Sequence, residues 1–272
     1  TAGGGSSNAT IAYNGQNPDG KLTCVETFNG DAWSNAQGTN NVRRSMPDNH
    51  TEDIYDVVAM GGDSPVILLT EEWNGITWTN SCNMLIGINN GQGGGSASGG
   101  FATGGGSPYP LTTEQYEKTN LSPYTTCVWS SGASNIAAKS GAKGAGDANA
   151  ALTFGGAQAP ISRTAFTEEY DGTNWSAGGN MIYAVGNFGG TGTANAALAA
   201  GGEPASCCKA EEYNGTSWAA GGNLSQGGYG NATLGTQNDA INFGGNFTGK
   251  KAESYNGSSW SSTGALIFNQ YN

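Results

Sequence analysis

The sequence predicts an all-β fold, a six-bladed β-propeller in which each blade is a four-stranded antiparallel sheet. Three observations predict it: a hairpin motif present six times, a glycine pair upstream of each copy, and a nearly constant spacing between the two. Repeats of about 45 residues built from short strands are typical of propellers, whose blades bury their faces against neighbouring blades. We therefore expect a single propeller domain over residues 1–272, with approximate blades at 1–42, 43–90, 91–141, 142–187, 188–230 and 231–272.

The hairpin motif reads Glu, any residue, an aromatic residue, Asn or Asp, Gly, two residues and Trp. Its six copies begin at Glu26, Glu71, Glu114, Glu168, Glu211 and Glu253. The copy at Glu114 keeps both ends of the motif but carries eight extra residues before its tryptophan. Asn-Gly or Asp-Gly between strand residues favours a tight hairpin, because glycine accepts the positive φ of the turn. The motif thus predicts the turn between the third and fourth strands of each blade.

A glycine pair ends the small or apolar run that precedes each hairpin. The pairs begin at Gly61, Gly104, Gly155, Gly201 and Gly244, and Asn14 takes the place of the first glycine in the first repeat. The step from each tryptophan to the next pair is 28 residues once and 26 residues four times. Closing the chain into a circle gives 26 again, so we expect the first and last blades to meet. The glycines predict a close backbone approach at the end of the second strand.

Two side chains recur in every hairpin and have a predicted structural role. The tryptophans are expected to fill the space between adjacent blades; they are Trp33, Trp78, Trp129, Trp175, Trp218 and Trp260. Each motif glutamate stands two residues before the aromatic residue and so shares its strand face. A catalytic acid is needed once or twice, whereas these carboxylates occur once per blade. We hypothesise that each accepts hydrogen bonds from backbone N–H groups around a glycine pair.

The charge balance excludes some partners. The chain has 10 Lys plus Arg against 21 Asp plus Glu, a formal net charge of −11. Dispersed cations in this number do not predict binding to nucleic acid, and no apolar run is long enough to insert into a membrane.

Cysteine and histidine content argues against metal or redox chemistry. The five cysteines show no C-x-x-C spacing and no paired framework, so they are predicted to be thiols; a vicinal Cys207–Cys208 disulfide is the alternative. His50 is the single histidine, and no Ser/His/Asp constellation can be assembled around it. We predict no metal, no cofactor and no enzymatic activity.

The glycine pair followed by Glu, an aromatic residue, Asn/Asp-Gly and Trp resembles the Kelch repeat, and the resemblance covers essentially the whole chain. It implies the same six-bladed propeller. The Gly, Asn, Ser and Thr-rich composition, with "YNGTSW" and "ALTFGG", is also similar to propeller modules of bacteriophage tail and virion proteins and of secreted bacterial adhesins. This second resemblance implies an extracellular or virion location.

Function is expected in the loops, where the repeats differ. The loops between second and third strands place a candidate binding set on one face: Tyr109, Arg163, Phe166, Lys209, Lys250 and Lys251. The insertion in the third repeat, with Asn120 and Tyr124, is expected to project from the opposite face. The charged stretch from Arg43 to Asp53 is the third departure from the repeat.

These observations predict a non-enzymatic recognition module, displayed outside the cell or on a virion, that binds a surface glycan or a protein receptor through its loops. The alternative is a structural or decoration subunit of a virus particle or extracellular filament, in contact with other virion or filament proteins. Self-association into a homo-oligomer is compatible with both.

Overall fold

A computed structural model confirms the predicted six-bladed β-propeller, with no helix among the described residues. The structure describes residues 2–17, 20–47, 51, 53–63, 68–106, 111–121, 124–159, 163–204, 208–246 and 250–268, with only the backbone at 17, 119–121 and 124–126. The strands are named β1 to β25 in chain order. Within each sheet the strands run antiparallel from the central axis to the rim in the order of the chain.

The first three blades occupy the amino-terminal half of the chain. Blade 1 contains β1 (Ala2–Ser6), β2 (Ala9–Tyr13), β5 (Val25–Phe28) and β6 (Trp33–Ala36), with a small ribbon of β3 (Gln16–Asn17) and β4 (Gly20–Lys21) between them. The described strands of blade 2 are β7 (Val57–Met60), β8 (Thr70–Trp73) and β9 (Trp78–Asn80). Blade 3 contains β10 (Gln92–Ser96), β11 (Gly99–Thr103), β12 (Thr113–Leu121) and β13 (Tyr124–Ser131).

The last three blades follow the repeat closely. Blade 4 contains β14 (Lys143–Gly146), β15 (Ala151–Phe154), β16 (Thr167–Tyr170) and β17 (Trp175–Ala177). Blade 5 contains β18 (Gly189–Thr193), β19 (Ala196–Ala200), β20 (Ala210–Tyr213) and β21 (Trp218–Ala220). Blade 6 contains β22 (Asn231–Gly235), β23 (Ala240–Gly244), β24 (Ala252–Tyr255) and β25 (Trp260–Ser262).

The core lies between the blades, and the motif tryptophans help to fill it. Each tryptophan faces the motif aromatic across its own hairpin, with ring centroids 4.7–5.4 Å apart. Four of them also meet an aromatic ring of the preceding blade, as Trp218 does with Phe154 at 4.8 Å. Aromatic pairs at these distances stabilise a core beyond their buried area alone.

The ring closes through contacts between the first and last blades, as the spacing predicted. After β25 the chain runs against blade 1, where Gly264 accepts a hydrogen bond from the Trp33 indole at 3.1 Å. Leu266 is buried in a cluster with residues of both blades, including Phe28 and Phe243. In the described part of the chain, the four strands of blade 1 all come from its start and the four strands of blade 6 all come from its end.

The cysteine prediction is wrong for one pair. Cys82 and Cys127 form a disulfide, with Cα atoms 5.9 Å apart. The two residues belong to different blades: Cys82 follows β9 at the rim of blade 2, and Cys127 lies on β13 at the rim of blade 3. The extra residues of the third repeat lengthen its hairpin to a ladder from Glu114↔Ser131 to Leu121↔Tyr124, and this longer ladder contains Cys127.

Candidate functional site

The motif glutamates bind the segments that connect one blade to the next. Glu114, for example, accepts hydrogen bonds from the backbone N–H groups of Leu85 and Ile86 at 2.9 and 2.5 Å. The predicted use of backbone donors is therefore correct, but the predicted position of these donors is wrong. They lie between the outermost strand of one blade and the innermost strand of the next, and not around a glycine pair.

The same contact recurs around the ring, and all six carboxylates are buried. The backbone donors are Ile267 and Phe268 for Glu26, Asn40 for Glu71, Ile136 and Ala137 for Glu168, Ile182 and Tyr183 for Glu211, and Ser225 for Glu253. Charge-assisted hydrogen bonds of this kind are roughly twice as strong as neutral ones. Each glutamate thus fixes the path of one connection.

Two of these carboxylates also bind a buried cation from the connection. Arg43 contacts Glu71 at 2.9 Å and Lys139 contacts Glu168 at 2.9 Å, and the side chains of both pairs are 0% exposed. Arg43 also donates to the carbonyls of Gly61 and Leu69. The charged stretch that begins at Arg43 therefore supplies a core residue, and a buried charge of this kind requires a partner.

Burial changes the pKa of several groups in these contacts. It raises the pKa of the Glu114 and Glu211 carboxyls, against the effect of the two backbone N–H donors at each. Burial also lowers the pKa of the Lys139 ammonium, although Glu168 acts in the opposite direction. These groups lie inside the propeller wall, so they stabilise the fold and do not form an open catalytic site.

The carboxylate contacts determine which side chains the connections present to solvent. Where two successive amides point inward, at Glu26, Glu114 and Glu211, the side chains of the same residues are exposed. Loops between second and third strands end beside the connections, as in the hydrogen bond from Met84 N to the Leu68 carbonyl at 2.9 Å. Connections and these loops therefore share one end of the propeller, which we call the connection face.

The connection face carries an exposed apolar surface, which we call the apolar arc. Its members are 36–56% exposed and are Val42, Leu68, Leu85, Ile86, Leu111, Ile136, Ile182, Tyr183, Ile267 and Phe268. The arc is interrupted at the connection between blades 5 and 6, where Ser225 and Gln226 replace the apolar pair. Exposed apolar side chains that collect on one face of a protein are a feature of interaction sites.

The described members of the predicted binding set lie on the connection face, but most of them have intramolecular partners. Arg163 pairs with Glu203 of the next blade at 3.1 Å. Phe166 is half-buried, with its ring centroid 5.5 Å from the Lys139 ammonium nitrogen.

One of the three lysines of the set, Lys251, lies at the polar gap in the arc and contacts Ser225. Lys251 contacts Glu253 at 3.3 Å, and Lys250 donates to the Ile267 carbonyl. Lys209 is exposed. Tyr109 and His50 lie outside the described residues, as do the side chains of Asn120 and Tyr124 in the insertion. The described part of the insertion hairpin contacts blade 2, where Lys118 forms an ion pair with Glu72.

The opposite end of the propeller carries two depressions. A funnel of about 400 Å³ surrounds the axis and is lined by small turn residues such as Ser96, Asn149 and Thr193. A cleft of about 360 Å³ lies between blades 1 and 2, beside Tyr55 and Trp73. Neither was predicted. The signal for the cleft was Tyr55, which occupies a turn position held by Asn or Ser in the other five repeats.

The apolar arc was also missed, although the sequence contains a signal for it. Apolar residues recur just before the first strand of the next repeat, in "MLI", "NIA", "MIY" and "LIF". In the repeat pattern these segments are ordinary connections, since the inward direction of their amides depends on a glutamate of the following blade. Only the folded ring shows that the last two side chains of "MLI", "MIY" and "LIF" are exposed, whereas the first side chain of each is buried.

Within the described part of the chain, no group of three or more His, Cys, Asp or Glu side chains could hold a metal ion. No helix of sufficient length and apolarity to cross a membrane occurs among those residues.

Comparison with known proteins supports the fold. No family model matches the sequence, and no curated protein matches it. Among solved structures, the chain is similar to one described as "Structure of YjhT", with a TM-score of 0.67, 13% sequence identity and 96% of both chains covered. At this identity the similarity shows a common propeller fold and nothing about activity.

Proposed function

We propose that this chain is a non-enzymatic, Kelch-like recognition module, displayed outside the cell or on a virion, that binds a protein surface through its connection face. The apolar arc is the observation that carries the proposal. Its side chains are mainly Leu and Ile, which offer apolar area but no hydrogen-bonding groups. Such a surface suits the apolar core of a protein interface better than a sugar, which needs polar partners.

The polar gap in the arc gives this surface an orientation. Lys251 lies at the connection between blades 5 and 6, where its ammonium contacts Ser225, whereas exposed apolar pairs occupy the connections after blades 2, 4 and 6. A partner with an apolar patch beside carboxylates would match this arrangement. The repeat motif supports the Kelch-like assignment, and the Cys82–Cys127 disulfide supports an oxidising location outside the cytosol.

The alternative function, a structural subunit of a particle or filament, would use the same face against copies of the chain or other virion proteins. The two functions differ in what the arc contacts, so one pair of variants tests both. Ile136→Ser with Ile182→Ser changes two exposed residues of the arc. Ile76→Ser with Val128→Ser is the control, which changes two exposed apolar residues away from the connection face, at 76% and 56% exposure.

Binding of the purified protein to intact cells or particles of the source is measured by co-sedimentation, and self-association by sedimentation velocity. Burying each half-exposed isoleucine is worth about 1 kcal/mol, so the arc variant should bind roughly thirty-fold more weakly while the control variant binds normally. Loss of self-association in the arc variant alone would favour the structural subunit. Unchanged binding and unchanged self-association in the arc variant would contradict both uses of the face.

A further inference from the structure

The cleft between blades 1 and 2 is built around an aromatic residue that breaks the repeat. Tyr55 stands six residues before Gly61. The corresponding turn residues of the other blades are Asn8, Ser98, Asn149, Asn195 and Asn238. Tyr55 is 63% exposed, and no other described tyrosine or tryptophan exposes so much of its side chain. Blade 2 therefore presents a large flat ring where the other blades present a small polar group.

The hairpin of the same blade supports the Tyr55 ring. A Cβ atom added to Gly75 would lie 2.3 Å from Tyr55 Cδ1, so the ring covers the backbone of the hairpin turn. Gly75 has a φ of +91°, a conformation that excludes most side chains and keeps this contact open. The Asp53 carboxylate also accepts a hydrogen bond from Tyr55 N at 2.8 Å. The ring is thus held in place on one side.

Polar groups of blade 1 line the other side of the cleft. Asn8, Thr27 and Asn29 line it together with Tyr55 and Trp73. The Asn29 carboxamide oxygen accepts hydrogen bonds from Asp31 N and Ala32 N at 3.0 and 2.9 Å, so Asn29 can offer its NH2 group to a ligand. Ligand sites typically combine an aromatic wall with a few such polar groups in a volume of about 300–1,000 Å³.

The chemistry of the cleft selects an uncharged ligand with both an apolar face and hydroxyl groups. None of the described residues that line it carries a charge. An anionic sugar or a nucleotide would therefore lack a cation here, and the net charge of −11 would oppose its approach. We propose that this cleft binds a neutral sugar ring of a surface glycan, which stacks on Tyr55 and bonds to the amides of Asn8 and Asn29. The site lies at the opposite end of the strands from the connection face and does not depend on it.

The test is a glycan array that contains neutral, sialylated and sulfated glycans, probed with the whole chain. It is followed by titration with the methyl glycoside of the strongest neutral sugar, monitored by tryptophan fluorescence. Three variants are compared with the wild type. Tyr55→Asn introduces the residue that four other blades carry at this turn, and Tyr55→Phe keeps the ring. Tyr183→Asn removes an exposed tyrosine from the connection face.

We expect neutral glycans to bind, and Tyr55→Asn to weaken binding by at least about tenfold. Tyr55→Phe and Tyr183→Asn should stay within about threefold of the wild type. The proposal is overturned if only charged glycans bind, if no glycan binds, or if Tyr55→Asn binds as tightly as the wild type. The Ile136→Ser and Ile182→Ser variant should keep its sugar binding, so failure of one proposal does not imply failure of the other.

Discussion

A single hydroxyl group decides whether the indole of a motif tryptophan has a hydrogen-bond partner in the preceding blade. In three blades the indole Nε1 donates to a threonine that begins the third strand of the preceding blade. The pairs are Trp129 with Thr70, Trp175 with Thr113 and Trp218 with Thr167, at 3.0–3.2 Å. The equivalent residue facing Trp78 is Val25, and among the described residues the Trp78 indole has no partner. A buried donor without a partner costs stability.

Val25→Thr should therefore stabilise the protein. The two side chains have similar shapes, and the new hydroxyl would accept the Trp78 indole N–H as Thr70, Thr113 and Thr167 do in their blades. We expect the free energy of unfolding in urea to rise by about 1 kcal/mol. Thr167→Val is the reciprocal control and should lower it by a similar amount. A decrease for Val25→Thr would show that the new hydroxyl lacks the expected geometry.

A second repeated contact joins a tyrosine hydroxyl to a carboxylate of the preceding blade. The pairs are Tyr116 with Glu72, Tyr213 with Glu169 and Tyr255 with Glu212. Burial and the neighbouring carboxylate raise the pKa of Tyr213 and of Tyr255 to about 12. Where the preceding third strand has Ser254 or Thr27 at this position, the motif aromatic is Phe28 or Trp73. In the remaining blade Gln115 stands at this position, and the Tyr170 hydroxyl bonds to the backbone of Ala133 instead.

Glu114 should make the stability of the fold depend on pH. Burial raises the pKa of its carboxyl above the ordinary 4.5. A raised pKa gives stability that is complete below the unfolded value and is lost as the pH rises through the folded value. From about pH 4 to about pH 8, the unfolding free energy of Glu114→Gln should therefore increase relative to that of the wild type. Urea unfolding at each pH measures the difference.

Glu72→Gln is the control and should change in the opposite direction. Burial acts to raise the pKa of Glu72, but hydrogen bonds from Lys118, Ser81 and Tyr116 outweigh it and lower the pKa. The stability that Glu72 contributes is present above its ordinary value and is lost as the pH falls through the folded value. Equal slopes for the two variants would contradict the assigned environments.

At the scale of elements, the lengthened hairpin of blade 3 is tied to blade 2 by the Cys82–Cys127 disulfide. The bond closes a loop of one repeat, with a sequence separation of 45. Cys127→Ser should lower the unfolding free energy by about 2–4 kcal/mol under oxidising conditions. A reducing agent should lower the midpoint of wild-type unfolding and leave the variant unchanged. Equal effects on both proteins would exclude this pairing.

The junction of blades 1 and 6 is the one blade boundary without a covalent connection between the described blades. Glu26 binds Ile267 N and Phe268 N there at 2.9 Å each. Glu26→Ala should therefore release the segment after β25, whereas Glu211→Ala leaves its connection joined at both ends. We expect rapid cleavage near residue 264 in limited proteolysis of Glu26→Ala alone. Cleavage at equal rates in both variants would show that Glu26 does not hold the junction.

Local patterns predicted the strands and their turns, because Asn-Gly turns, glycine pairs and aromatic positions depend on neighbouring residues. Contacts between blades were less accessible. The donors to Glu114 lie 28 and 29 residues upstream, and nothing in the motif indicates that Leu85 and Ile86 would be exposed by this contact. The partner of Cys82 was missed for the same reason. The cleft was missed because Tyr55 follows the charged stretch from Arg43 to Asp53, in the repeat whose step is 28 residues rather than 26.

At the scale of the whole molecule, the alternating strand directions separate two surfaces. Connections and loops between second and third strands form an apolar face with a polar gap near Lys251. The other end presents the hairpin turns, the axial funnel and the Tyr55 cleft. A module fixed to a protein by the first face would leave the second free to contact a glycan.

The central claim is that the connection face contacts a protein, and site-specific photo-crosslinking tests it most directly. A photoreactive phenylalanine analogue replaces Ile182 in the arc or, as the control, Val128 at the rim, two residues with similar exposure of 51% and 56%. Each protein is irradiated on intact cells or particles of the source. The account predicts a discrete protein adduct from position 182 and none from position 128. No adduct from position 182, or equal adducts from both positions, would contradict it.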